Sequence, residues 1–491
     1  MLDGASQPGI PGPHLTEDVH LRCAATAAPL RFRAASGRWR CKAHTERFVR
    51  PRPGNGGGMT KPRVVIVGAG FAGYHAAKTL GRLARDQAEI VLLNTTDYFL
   101  YLPLLPEVAA GVVEPTRLSV PLAGTLDGVR LVVGEADHVD LRNRWVSFTQ
   151  PEGERNRIAY DRLVLAVGSV NKLLPIPGVT EYAHGFRGLP EALYLHDHVV
   201  RQIELAEQAT DPAEQRARAT FVVVGAGYTG TEVAAHGQLF TDRLVGQRSR
   251  LKLRPRWMLL DVAPRVLPEL DRRMSDTAHR VLEERGIDVR MGTSVAVATA
   301  DGVKLTDGEF IPTCSLFWCV GVRPDPLVAQ LGLRTEKGRL VTDEYLNVPG
   351  FPEVFACGDA AAVPDLTQPG QVCAMTAQHA QRQGKLVAHN IAASYGQGTR
   401  KPYKHHELGW VVDLGGLDAA ANPLKVPLAG LPAKVVTRGY HLLNLPGNRA
   451  RVGADWLLDA TLPRPAVQLG LVPANSVPLE SSSPEVPAHM G

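Results

Sequence analysis

The chain is 491 residues long, enough for two or three domains with cores of their own, and its 44% apolar and 21% charged residues are those of a globular protein. It contains no run of roughly 18 or more apolar residues, which argues against a helix that crosses a membrane. The formal charge of +5 sits wholly in residues 1–58, and the remaining 433 residues carry 45 of each sign, so the body offers no electrostatic footprint for nucleic acid.

Residues 1–58 are rich in Pro, Gly, Arg and Ala, show no apolar periodicity, and lack the apolar centre of a secretory signal. They are expected to be an extension outside the fold: a disordered arm, a transit peptide or, the reading we prefer, upstream sequence mistaken for protein. On that reading Met59 is the true start, because "GNGGGM" at 54–59 has the look of a translated purine-rich ribosome-binding site. Only 12 of the 54 basic residues are Lys, which fits a GC-rich bacterial genome. The first fold-bearing strand is expected at Arg63.

"RVVIV" at 63–67 reads as a strand buried on both faces of a parallel sheet. "GAGFAG" follows. Ala72, Ala76, Leu80 and Leu83 then recur at helical spacing, and "EIVLLN" gives a second strand ending at Asn94. This is a dinucleotide-binding unit. Gly68 permits the tight turn, Gly70 lets a pyrophosphate approach the backbone, and Gly73 lets helix and strand pack closely. An acidic residue usually closes the second strand to hold a ribose hydroxyl. Asn94 stands there instead, and its amide can still accept that bond at a loss of about 1 kcal/mol.

The unit is repeated. "TFVVV" at 220–224 precedes Gly225, Gly227 and Gly230, "TEVAAHGQL" opens a helix, and "WMLLD" ends at Asp261. Asp261 lies 31 residues past Gly230, so the basic stretch 248–256 is expected in an inserted loop. A carboxylate at Asp261 accepts from an adenosine ribose and repels a 2′-phosphate, which favours NADH over NADPH. Two such sites in one chain suit a tightly, non-covalently bound flavin dinucleotide, FAD, and a transient NADH substrate that reduces it.

The six cysteines, Cys23, Cys41, Cys314, Cys319, Cys357 and Cys373, include no C-x-x-C pair, no zinc pattern and no disulfide framework. Cys357 is expected to be a small buried residue. No metal site is expected. Without a thiol relay, electrons must leave a reduced flavin directly for a diffusible acceptor, and a quinone fits.

Other segments carry a family resemblance. "LVLAVGS" at 163–169, with Gly168, resembles the strand and glycine that return the chain to the FAD domain of two-dinucleotide flavoproteins. "LFWCVGVRPDP" at 316–326, with Gly321, resembles their join from the NAD domain. "LNVPGFPEVFACGDAAAV" at 346–363 resembles their late FAD motif, in which the resemblance gives Asp359 a contact with the ribityl–pyrophosphate region. "YLPLLPEVAAG" at 101–111, "TAQHAQRQGK" at 376–385 and "YHLLNLPGNRARVGADWLLD" at 440–459 resemble segments of type II NADH:quinone dehydrogenases, single-subunit respiratory enzymes that pump no protons. The resemblance spans roughly 62–459. It implies that Glu232 orients the cofactor near the nicotinamide–flavin contact and that Gln378 and Gln381 line the quinone. His379, His405 and His406 are expected at the surface.

The implied fold class is α/β, with two Rossmann-like domains, a split FAD domain holding an inserted NAD domain, and a C-terminal α+β segment. The expected limits are 59–190 and 313–395 for FAD, 191–312 for NAD(H), and 396–491 for a segment facing the acceptor and the membrane. Pro463, Pro465 and Pro473 leave room only for a short helix after Trp456, so membrane attachment is expected to be weak. The expected partners are a quinone, a membrane surface met through the C-terminal segment, and a second copy of the chain. The expected place is the cytoplasm or the cytoplasmic face of a bacterial plasma membrane. Two alternatives stay open: an NADH-dependent reductase of a ferredoxin- or rubredoxin-like carrier, and a flavin–NADH redox sensor without turnover.

Overall fold

The computed structural model describes residues 61–247, 252–464 and 466–479, with the backbone of Arg47–Phe48. All of this belongs to the unit Thr45–Gly491. Apart from that two-residue strand, the 1–58 extension and the start expected at Met59 lie outside the described residues. Arg47–Phe48 corrects the expectation that strands begin at Arg63. It adds in parallel to Arg155–Ala159, at the edge of a sheet that continues through Trp145–Thr149 to Glu135–Asp140. An edge strand this short is held by backbone pairing and leaves no alternation to read.

Two parallel sheets dominate. The first runs, in spatial order, Asn347–Val348, Phe351–Ala356, Arg162–Leu165, Arg63–Val67, Glu89–Asn94 and Val129–Val133, and only the hairpin at 347–356 is antiparallel. Every residue of Arg63–Val67 is buried, as a β-branched run between two helical layers requires. The second sheet runs Ala183–Gly185, Leu316–Trp318, Thr220–Val224, Arg256–Asp261 and Asp288–Met291, all parallel. Its strands at 183–185 and 316–318 lie just beyond the expected 191–312 limits of the NAD(H) domain, which the sheet therefore widens. The late strand Phe351–Ala356 returns beside Arg162–Leu165, so the first sheet is assembled from sequence on both sides of the second.

Helices cover these sheets. We name α1 (Phe71–Leu83), α2 (Leu105–Ala109), α3 (Leu189–Gln208), α4 (Tyr228–Gly246), α5 (Arg272–Glu284), α6 (Ala377–Ala393), α7 (Gly430–Asn444) and α8 (Arg449–Thr461). Helix α6 lies against α1 so closely that a Cβ on Gly384 would meet Ala72 O at 2.1 Å. A small antiparallel sheet, Val411–Asp413, Ala419–Ala421 and Leu428–Ala429, carries the chain into α7. The C-terminal helices therefore precede the prolines. They are 15 and 13 residues long, and past Trp456 the helix runs only to Thr461, with a three-residue turn at 474–476 the only later helical piece among the described residues.

Helix α7 is amphipathic with its polar stripe turned inward. Ala433, Lys434, Thr437 and His441 are buried, while Leu431, Val435 and Leu443 are 55%, 64% and 74% exposed. Helix α8 buries Val452 and Trp456 and exposes Leu457 and Leu458. No helix among the described residues is long and apolar enough to cross a membrane.

Candidate active site

Both glycine turns leave the C-terminal end of a central strand at the point where the strand order reverses. Arg63–Val67 lies between Glu89–Asn94 and Arg162–Leu165, and Thr220–Val224 lies between Arg256–Asp261 and Leu316–Trp318. That is where open α/β sheets hold their ligands. The two turns are near copies. Gly68 and Gly225 take φ of +94° and +106°, and a Cβ there would strike Ala166 O at 2.5 Å and Cys319 O at 2.2 Å. A Cβ on Gly73 or Gly230 would sit 1.7 Å from Gly68 O or 1.8 Å from Gly225 O. At Gly70 and Gly227, by contrast, no described atom lies within 4 Å of a Cβ position, so the backbone faces open space.

Gly70 and Gly227 also begin α1 and α4. Neither helix has a side-chain cap, and neither has an acidic residue in its first turn. Their leading N–H groups and dipoles are left for an anion. This cradle fits the pyrophosphate of a dinucleotide at each turn.

Asn94 and Asp261 do one job that sequence reasoning missed. Asn94 Oδ1 accepts from Ala69 N at 2.7 Å, and Asp261 Oδ2 accepts from Ala226 N at 2.6 Å, so each side chain braces its own glycine turn. Asn94 Nδ2 donates to Thr96 O at 2.9 Å. Only one lone pair of Oδ1 is then left for a ribose. The brace needs an acceptor oxygen and no charge, which explains why an amide serves at one turn and a carboxylate at the other.

A cleft of about 370 Å³ opens at the first turn, lined among others by Gly68, Gly70, Asn94, Gly168 and Ser169. Ser169 Oγ donates to Asp359 Oδ2 at 2.6 Å, which ties the late motif to the wall of this cleft. Gln383, a residue sequence reasoning passed over, accepts from Gly358 N at 2.8 Å and fixes the same turn from α6. Gly321, with φ of +99°, links Leu316–Trp318 to Val322–Pro324 and accepts from Lys172 N at 3.0 Å.

Gln378 and Gln381 share α6. Gln378 Nε2 donates to Gly409 O at 3.0 Å, while its Oε1 is buried and has no partner among the described residues. Gln381 is partly exposed. The expectation that His379 and His405 lie at the surface is wrong. His379 is 7% exposed and stacks on His405, ring centroids 3.9 Å apart, and Tyr403 OH lies 2.9 Å from His379 Nδ1. The stretch 401–410, irregular and free of any apolar pattern, folds back over α6 and covers them. Burial then draws the His379 imidazole down to about 4. Cys357 is fully buried, and burial raises its thiol to about 12.

Glu232, on α4, accepts from the backbone N–H of Asp413 at 2.9 Å. Around that contact lies a buried polar network with no signature in sequence. Lys434 Nζ sits 2.6 Å from Asp413 Oδ2, with both side chains nearly inaccessible. His236 Nε2 lies 3.2 Å from Asp413 Oδ1, and Trp456 Nε1 donates to Glu107 Oε2 at 2.5 Å. Burial acts to raise Asp413, but His236 and Lys434 outweigh it and hold the carboxyl far below its ordinary range. Burial and the charge of Asp413 push Glu107 up to about 7, and burial holds Glu232 well above the usual carboxylate value. One atom each of Glu107, His236 and Asp413 comes within 4.8 Å of the others. The Lys434 ammonium already supplies the cation such a group would attract. Nearby, Tyr101 OH lies 3.1 Å from His441 Nδ1, and Tyr228 stacks on Trp410.

The chain is similar to known proteins. The family model for pyridine nucleotide-disulphide oxidoreductases matches residues 62–384. A type II NADH:quinone oxidoreductase of Mycobacterium tuberculosis is 31% identical over 408 residues, covering 80% of this chain and 85% of the relative. A demethylphylloquinone reductase of Synechocystis sp. is also 31% identical, covering 81% of this chain and 96% of the relative. Among solved structures, NDH2 from Plasmodium falciparum in complex with NADH superposes with a TM-score of 0.76 at 16% identity, over 83% of this chain and all of that one.

Proposed function

The chain belongs to the pyridine nucleotide-disulphide oxidoreductase family and, within it, to the type II NADH:quinone oxidoreductases; from that premise we propose that it is a FAD-dependent NADH dehydrogenase that reduces a quinone. The observation that carries this reading is the duplication of an uncapped, glycine-built anion cradle at the switch points of two sheets. The turn at Gly68–Gly73 would hold FAD, with Asn94, Gly168 and Asp359 along it. The turn at Gly225–Gly230 would admit NADH, with Asp261 at the ribose and Gly321 beside it. Bound flavin supplies the chemistry of taking up a hydride and giving up two electrons. The protein's part is positioning and protons. Glu232 orients the nicotinamide end, and Gln378, whose buried Oε1 has no partner among the described residues, is the acceptor that α6 offers to a hydroquinone hydroxyl, with Gln381 one turn on. The NAD(H) domain is then wider than 191–312, about 183–318, because the strands Ala183–Gly185 and Leu316–Trp318 belong to its sheet; FAD-domain sequence flanks it on both sides, and the segment 396–479 closes over the acceptor.

The acceptor side meets a membrane through α7 and α8. Their outward residues Leu431, Val435, Leu443, Leu457 and Leu458 form an apolar surface on helices too short to span, as interfacial helices do. A quinone dissolved in lipid would reach the flavin from that face. Stopped-flow absorbance tests the whole reading. NADH should bleach the flavin rapidly, and menadione should restore it rapidly. A folded protein that stays colourless after reconstitution with FAD refutes the reading, and reoxidation by an iron–sulfur carrier alone replaces the quinone with that carrier.

A further inference from the structure

A second cavity, about 30 Å³, lies among α2, α4, α7 and the C-terminal end of α8, apart from either glycine turn. Glu107, His236 and Lys434 line its inner part. Its outer part includes Arg243, half exposed and 3.1 Å from Asp459, with Arg464 alongside. That is enough room for a water molecule. The surrounding atoms suit one as well. Glu107 and His236 both line the cavity, and their facing atoms lie no more than 4.8 Å apart, within the reach of one water that bonds both. Glu107 Oε1 is buried with no partner among the described residues, and His236 Nε2, though near Asp413, lacks hydrogen-bond alignment with it. Buried polar atoms of this kind are normally satisfied by ordered water.

Charge gives the water a use. Three carboxylates, Glu107, Glu232 and Asp413, meet one buried ammonium, Lys434, and Asp413 takes it with both oxygens. Arg438 rests over the Trp456 ring, 4.9 Å from its centroid, and acts on Glu107 only as a weaker charge. The groups facing Glu107 are therefore Asp413, Lys434 and Arg438 on one side, His236 and Arg243 from α4, and Asp459 and Arg464 at the outer end. With too few cations at its centre, the cluster holds a proton instead.

The reaction needs one. In NADH + H⁺ + quinone → NAD⁺ + hydroquinone, a C–H bond of the dihydronicotinamide breaks, and its hydrogen nucleus and two electrons pass on. Two O–H bonds form on the quinone, and one of their protons comes from water. Resting on the NADH:quinone reading, we propose that Glu107 stores that proton and gives it up through a water shared with His236 toward Glu232 and on to the quinone oxygen, its own O–H bond breaking as the hydroquinone O–H forms. Glu107 refills from solvent along the Arg243–Asp459 side. It touches neither substrate, so it is a storage and positioning residue.

Glu107→Gln tests this, because an amide of the same size still accepts from Trp456. Infrared titration of the oxidised holoenzyme, without substrates, should show a protonated-carboxyl band that disappears near neutral pH and is missing in E107Q. Persistence of the full band in E107Q overturns the proposal. In stopped flow, reoxidation by menadione should slow in the wild type as pH rises through neutrality. In E107Q it should be slower by on the order of a hundredfold and flat with pH, while reduction by NADH keeps its rate. An unchanged pH profile in E107Q overturns the proposal. Glu107→Asp, which keeps the acid, should restore both the band and the pH dependence, and its failure to do so while folded also counts against storage. A wild type that never reduces menadione removes the quinone reading itself, and the infrared arm still decides whether Glu107 holds the proton.

Discussion

Replacing Lys434 by Met removes the ammonium and keeps most of the side-chain volume. In the native protein Lys434 and Asp413 are 3% and 7% exposed, so the orphaned carboxylate cannot turn to water. Breaking a buried pair from one side costs about 3–5 kcal/mol, a large share of the roughly 5–15 kcal/mol that holds a domain together. The Gly415 N–H, donating to Asp413 Oδ1 at 2.7 Å, remains and cannot replace a full charge. His236 can. Its imidazole is now kept below its ordinary value by burial, against the pull of Asp413. With Lys434 gone, Asp413 should draw a proton onto it and raise it above the unfolded value. A raised histidine lends stability that is present below its unfolded value and lost as pH rises through the folded one, about 1.4 kcal/mol for each tenfold gain in proton affinity. Urea unfolding of K434M should therefore show the full loss at pH 8 and a smaller one at pH 5.5. The pair D413N/K434M, with no charge left to strand, should recover much of it. A loss under about 1 kcal/mol at pH 8, or one independent of pH, would refute the buried pair.

The two turns predict a sharp split among glycine variants. Gly73→Ala and Gly230→Ala place a methyl against backbone oxygens 1.7 and 1.8 Å away and should yield little folded protein, measured by soluble yield and circular dichroism. Gly70→Ala and Gly227→Ala meet open space, so both should fold; G70A should lose flavin colour, and G227A should keep it while KM for NADH rises. Asp261→Asn leaves an acceptor for Ala226 N but no charge, so turnover with NADPH should rise relative to NADH by roughly tenfold, the worth of about 1.4 kcal/mol. Leu443→Ser with Leu457→Ser should halve or more the fraction that floats with anionic vesicles, while menadione turnover in solution is kept; unchanged flotation rules out this face.

The turns were legible because each is a local device. Strand, three glycines and helix occupy about twenty consecutive residues, and the spacing alone dictates where the backbone must come close to itself. The roles of Asn94 and Asp261 were half legible. Their position at a strand end is visible, but the brace to Ala69 and Ala226 depends on how the turn sits over the neighbouring strand. The network of Glu107, Glu232, His236, Asp413 and Lys434 was not legible. Its members come from four separate elements spread over more than 300 residues, and only the return of the C-terminal segment across α4 brings them together. The paired histidines His379 and His405 were hidden for the same reason, since a loop with no pattern of its own supplies their cover.

Helix α7 shows why periodicity cannot say which face is inside. Leu431, Val435 and Leu443 mark one side and Lys434, Thr437 and His441 the other, and the usual rule turns the leucines to the core. The opposite occurs because the protein offers α7 two unlike surroundings. Inward it meets two carboxylates, Asp413 and Glu107, and the hydroxyl of Tyr101, whose burial must be compensated by donors. Outward it meets whatever covers the acceptor side. A helix with its leucines inward would strand Asp413 without a cation at a cost of about 3–5 kcal/mol and would turn Lys434 and His441 outward. The orientation that satisfies the interior is the one that leaves an apolar surface outside, so the polar network and the exposed apolar side, proposed above to meet a membrane, are two consequences of one helix rotation.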